Sequence, residues 1–172
     1  AYGDTPTLPK HEGMASMPRS PYAVAKLAGE HYVQVFPPLF GLETAILRYF
    51  NVFGPRQDPN SVYSAVIPLF INAALAGQAP TIHGDGGQTR DFTYIDNVVD
   101  VNLRACTAPP EGVSGEVFNV GCGERISVTT CGRRFRRQPA SSSKHSTVRL
   151  ALGTCATRWR TSPRSAIAWG MK

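Results

Sequence analysis

Ser20-Pro21-Tyr22-Ala23-Val24-Ala25-Lys26, followed by the apolar run Ala45-Ile46-Leu47-Arg48-Tyr49-Phe50-Asn51-Val52-Phe53, sets the fold of this chain. Ser20 suits a helix N-cap because its hydroxyl can accept an otherwise orphaned backbone N–H, and Pro21 suits the first helical position. Val24, Leu27, Ala28 and Val35 then recur at helical spacing and predict the core-facing side. Residues 43–53 are rich in β-branched and aromatic side chains and stop at Gly54-Pro55, which predicts a buried strand with a loop beyond it. Working outward, the pattern predicts a helix over 64–76 and a short strand over 81–83 that turns at Gly84-Asp85-Gly86-Gly87. A strand over 92–95, a helix over 96–105 and a strand over 116–121 follow. This alternation of helices and strands predicts an α/β fold.

The 172 residues, 42% of them hydrophobic, suffice for a domain with a real core and argue against disorder. The longest apolar run, over 65–76, is interrupted by Pro68 and Asn72, and no charged-then-apolar leader is seen. Secretion and membrane insertion are therefore unsupported. Cys106, Cys122, Cys131 and Cys155 show no metal-like spacing, so free thiols in a cytoplasmic setting are expected and a metal is not. The net charge of +6 is unevenly spread. Residues 1–128 hold eight Lys or Arg against twelve Asp or Glu, whereas 129–172 hold ten against none. An Arg-rich block such as 133–137 could neutralise phosphates, yet weak periodicity and a Ser/Thr-rich middle argue against assigning a nucleic-acid module.

Two residue groups carry chemistry. Tyr22 and Lys26 lie one helical turn apart and share a neighbouring face. A tyrosine acts as a base near neutral pH only where a positive charge favours its phenolate, and Lys26 can supply one. The alternative is an ordinary Tyr and Lys on a solvated face. The second group stands at the ends of the predicted strands: Asn51, Gln57 and Arg90. Ligands of open α/β sheets bind beyond the carboxyl ends of strands, where Arg90 suits a phosphate and Asn51 an oxygen-rich ligand. A surface arginine and a turn-stabilising asparagine are the alternatives.

Together, Tyr2-Gly3-Asp4, S-P-Y-A-V-A-K at 20–26, L-R-Y-F-N-V-F-G-P-R-Q-D-P at 47–59, A-V-I-P at 65–68, G-D-G-G-Q-T-R-D-F-T-Y-I-D at 84–96 and F-N-V-G at 118–121 resemble the extended short-chain dehydrogenase/reductases. Within that family they are most similar to the nucleotide-sugar 4-epimerases, over residues 1–128. The resemblance implies the C-terminal part of a Rossmann-like NAD-binding domain in 1–60, a nucleotide-sugar-binding portion in 61–128, and C4 epimerisation of a UDP-hexose or UDP-N-acetylhexosamine through a 4-keto intermediate. It implies Tyr22 and Lys26 as the catalytic pair, with Lys26 also on the nicotinamide ribose and Tyr49 near the nicotinamide. It places Asn51 and Arg90 on the diphosphate side of a UDP-sugar and Gln57 near the ligand. Ala65, Val66, Phe70, Thr81 and His83 would line the nucleotide pocket. The usual partner is a second copy, in a homodimer. A dehydratase or decarboxylase of the same family is the close alternative.

Two departures from the family pattern shape further expectations. Its glycine-rich cofactor turn and catalytic Ser or Thr would precede Tyr2 and are not in the sequence, so tight NAD binding is not expected of these 172 residues alone. After Val128 the family's R-P-G-D-x-R segment is also missing, but a one-base shift at the Val128 codon permits it from 150 onward. Residues 129–172 are thus expected to be a frameshifted basic tail, largely disordered or poorly packed.

Overall fold

The computed structural model describes residues 1–60 and 66–136. They form two compact units, one built from 1–48 and 100–120, the other from 49–99 and 121–136. The observed architecture is mixed α/β, as the alternation of patterns predicts.

The first unit opens with a loop and helix α1 (Pro21–Phe40). Ser20 caps α1 as expected, its Oγ accepting the Ala23 N–H at 3.1 Å, and Gly41 ends it in the left-handed region at φ 68°, its N–H donating to the Pro37 carbonyl at 3.0 Å. The inward side differs from expectation. No residue of α1 is fully buried, and Val24 and Val35 are 53% and 44% exposed. The half-buried stripe runs instead through Ala23, Leu27, Glu30, Gln34 and Pro37. Strand β1 (Ala45–Tyr49) follows and pairs with β5 (Glu116–Val120). Val113 and Phe118 are buried there against Ala45, Leu47, Ala105 and Ala108.

The predicted single strand over 43–53 is two strands. The ladder breaks at Phe50, and β2 (Asn51–Phe53) pairs in parallel with β4 (Phe92–Tyr94), with Asn51 opposite Phe92. The break lets successive parts of one apolar run serve different partners. Helix α2 (Val66–Leu75) falls within the predicted 64–76. No strand forms over 81–83. Pro80 withholds a ladder donor there, and the His83 carbonyl accepts from Gln88 Nε2 at 3.2 Å. The strand in this region is instead β3 (Thr89–Arg90), antiparallel to β6 (Ile126–Ser127). Helix α3 (Ile95–Thr107) follows β4.

Helix α4 (Val128–Arg136) departs most from expectation. Ser127 Oγ accepts the Thr130 N–H at 3.1 Å, a helix-starting cap. Cys131 and Phe135 are 0% and 1% exposed. They join Phe53, Ile67, Phe70, Phe92, Ile126 and Val128 in one core cluster, Phe70 and Phe135 meeting edge to face at 6.4 Å. One side of α4 is therefore packed, because the apolar side chains at 128, 131 and 135 fall on one helical face, while Arg133 and Arg134 are exposed. The remainder of the expected tail, 137–172, lies outside the described residues.

Candidate functional site

In the second unit a cavity of about 930 Å³ is bounded by β2, α2, β3 and the 78–83 segment. Its lining brings together Asn51, Gln57, Val66, Phe70, Thr81, His83 and Arg90. Ala65, the remaining predicted lining residue, lies outside the described residues. The floor is apolar, with Phe70 only 1% exposed and held from behind by Phe135. Among the described residues the lining carries Arg90 and no carboxylate, so an anionic group meets a cation and amides there.

The polar groups have distinct settings. Asn51 Nδ2 donates to the Asp91 carbonyl at 3.0 Å, which fixes the amide and leaves its oxygen and second N–H for other partners. Gln57 Oε1 is buried without a hydrogen-bond partner among the described residues, an acceptor suited to a ligand N–H or O–H. Arg90 Nη1 donates to the neighbouring Thr89 carbonyl at 3.0 Å, and the residue is exposed. The adjoining turn is rigid: Gly86 takes φ 69°, which a side chain rarely tolerates, and Thr129 Oγ1 donates to its carbonyl at 3.1 Å.

Sequence reasoning missed Asn72, Gln78 and Gln88, which also line the cavity, and Asp91 behind it. Only the charge of Asp91, placed at the mouth of an apolar strand, marked it in the sequence. Its carboxylate accepts from the Cys122 and Gly123 backbone N–H groups at 3.0 and 2.8 Å. Burial pushes its carboxyl up; those two N–H groups oppose the shift, and Glu124 adds to it.

In the first unit, Lys26 Nζ stands 5.6 Å from the centre of the Tyr22 ring, and Tyr22 is 54% exposed. The pair is therefore formed on α1 as its spacing predicts. One turn further along α1, Glu30 is bound by Arg48, whose Nε donates to Oε2 at 2.9 Å while Nη2 pairs with Oε1. Side-chain exposures are 13% for Arg48 and 9% for Glu30. Arg48 Nη1 also donates to the Tyr2 hydroxyl at 2.8 Å, and Tyr2 donates to Asn119 Oδ1. The Glu30 hydrogen bond holds the guanidinium well above its ordinary pKa despite partial burial. This network fixes the rotational setting of the helix that carries Tyr22 and Lys26. Tyr49 ends β1, 44% exposed, and is not among the residues lining the cavity.

The profile of the family described as NAD dependent epimerase/dehydratase matches residues 1–121. The chain belongs to this family. It is 43% identical over 126 residues to a UDP-glucose 4-epimerase of Mycolicibacterium smegmatis, covering 73% of this chain and 39% of that protein. It is 38% identical over 132 residues to a UDP-N-acetyl-alpha-D-glucosaminuronate decarboxylase of Bacillus cytotoxicus, covering 77% of this chain and 40% of the relative. Among solved structures, a UDP-N-acetylglucosamine 4-epimerase from Methanobrevibacter ruminantium, in complex with UDP-N-acetylmuramic acid, superposes with a TM-score of 0.72 at 41% identity. That superposition covers 77% of this chain and 42% of the other. The family member thus spans about two fifths of the length of these relatives.

Proposed function

We propose that this chain carries the proton-transfer pair and the nucleotide-sugar cavity of an NAD-dependent UDP-hexose or UDP-N-acetylhexosamine 4-epimerase. The observation that carries the reading is the cavity lining, which collects Asn51, Gln57, Phe70, Thr81, His83 and Arg90 from four separate stretches of sequence. Arg90 and the Asn51 amide would hold the diphosphate, Phe70 and Val66 the flat nucleotide ring, and Gln57 Oε1 a donor of the ligand.

The donor set on α1 fits a nicotinamide ribose, since a phenol and an ammonium can both hydrogen-bond hydroxyls. NAD, when bound, supplies the acceptor and then the donor of the C4 hydride. Tyr22, as phenolate, takes the proton of the C4 hydroxyl and later returns it. Lys26 favours that phenolate and binds the ribose. Tyr49 would lie near the nicotinamide. Cytoplasmic location and assembly as a homodimer belong to the same reading. No described helix is long and apolar enough to cross a membrane.

NMR analysis of UDP-glucose and UDP-N-acetylglucosamine incubated with NAD and the protein at relative length tests the proposal. Inversion at C4 with every carbon and oxygen retained is expected, and loss of water or carbon dioxide would instead favour a dehydratase or the decarboxylase chemistry named for the Bacillus cytotoxicus relative.

A further inference from the structure

We infer that Asp91, which does not line the cavity, is a positioning residue that aims both anion-binding groups, Arg90 and Asn51, into it. The inference rests on the nucleotide-sugar reading of the cavity. Asp91 follows Arg90 directly and precedes buried Phe92, so it stands where the chain passes from the site to the core. Its carboxylate bonds the backbone N–H groups of Cys122 and Gly123 at 3.0 and 2.8 Å, while its carbonyl receives Asn51 Nδ2 at 3.0 Å. One residue thus ties together β2, the β3–β4 junction and the loop after β5. The fit is close: a Cβ on Gly121 would stand 2.7 Å from Asp91 Oδ2, so only glycine lets the loop approach the carboxylate.

Strand β3 is two residues long, with Arg90 opposite Ile126 on β6. So short a ladder gives weak control over a guanidinium, and among the described residues the Arg90 side chain is hydrogen-bonded to its neighbour's carbonyl alone. The anchor one residue on supplies the missing restraint. Asp91→Asn replaces one of the two carboxylate acceptors by an NH2 group facing a backbone N–H, donor against donor. The peptide then turns, and Arg90 and the Asn51 amide move with it.

Calorimetric titration of UDP and of uridine into the 172-residue chain tests this. Asp91→Asn is expected to weaken UDP by about tenfold or more, the equivalent of one charge-assisted hydrogen bond, and to leave uridine within about twofold. D91N/R90A is expected to lose clearly less than the sum of the two single losses, because the share of the anchor's effect that runs through Arg90 is already gone in R90A, while the share through Asn51 remains. Gly121→Ala, which crowds the carboxylate without removing it, should give the same selective loss and serves if D91N fails to fold. Equal losses for UDP and uridine, full UDP affinity in D91N, or additivity with R90A would overturn the inference. A wild-type chain that binds uridine but not UDP, or neither, would overturn the cavity reading as well.

Discussion

Glu30 follows Lys26 by one helical turn, and in water the two would form an ordinary i,i+4 pair. Arg48 takes Glu30 instead, in a largely buried bidentate pair backed by Tyr2 and Asn119. A desolvated charge left without its partner is costly, so Arg48→Met should destabilise the chain by about 3–5 kcal/mol in denaturant unfolding. A cost below about 1 kcal/mol would show the pair to be solvated and α1 to be set by other contacts. Thr93 makes the converse case. Its side chain is 0% exposed and its Oγ1 has no partner among the described residues. Thr93→Val removes an unmet hydroxyl at constant shape and should raise stability by about 1 kcal/mol, seen as a higher unfolding midpoint. Residue type and spacing marked Tyr22, Lys26, Asn51 and Arg90 as candidates, of which the first two meet on α1 and the last two line one cavity. Glu30 and Arg48 were not legible in the sequence, because neither local spacing nor composition reports which distant charge a helix will meet.

At the scale of elements, local chemistry foretold the start of α1 and the positions of α2 and α3, whose signals lie within a few residues. Partner choice was not foretold: the split of 43–53 into β1 and β2 depends on β5 and β4, which come much later in the chain. Helix α4 was misread for a related reason. Its composition is basic, but the apolar residues at 128, 131 and 135 decide its packing. Phe135→Ala should cost about 3–5 kcal/mol, as expected for an aromatic side chain removed from a core. A chain ending at Val128 should lose at least as much. Burial also pushes the Cys131 thiol up to about 12. A thiol reagent near pH 8 should therefore modify exposed Cys106 and leave Cys131 intact until unfolding. Unchanged stability on Phe135→Ala, or rapid labelling of Cys131, would place α4 outside the core.

For the molecule as a whole, the first unit carries the Tyr22–Lys26 pair on α1 and the second an amide-lined cavity with Arg90 in its wall. Under the proposed function both belong to one nucleotide-sugar reaction. The competing reading, in which basic residues recruit nucleic acid, assigns the binding to the Arg-rich end instead. Titration of the ¹⁵N-labelled chain with UDP-glucose, followed amide by amide, separates the two most directly. Saturable shifts at Asn51, Phe70, Thr81, His83 and Arg90 are the predicted result. Absence of shifts at these positions, or shifts confined to 133–172, would contradict a nucleotide-sugar site in this cavity.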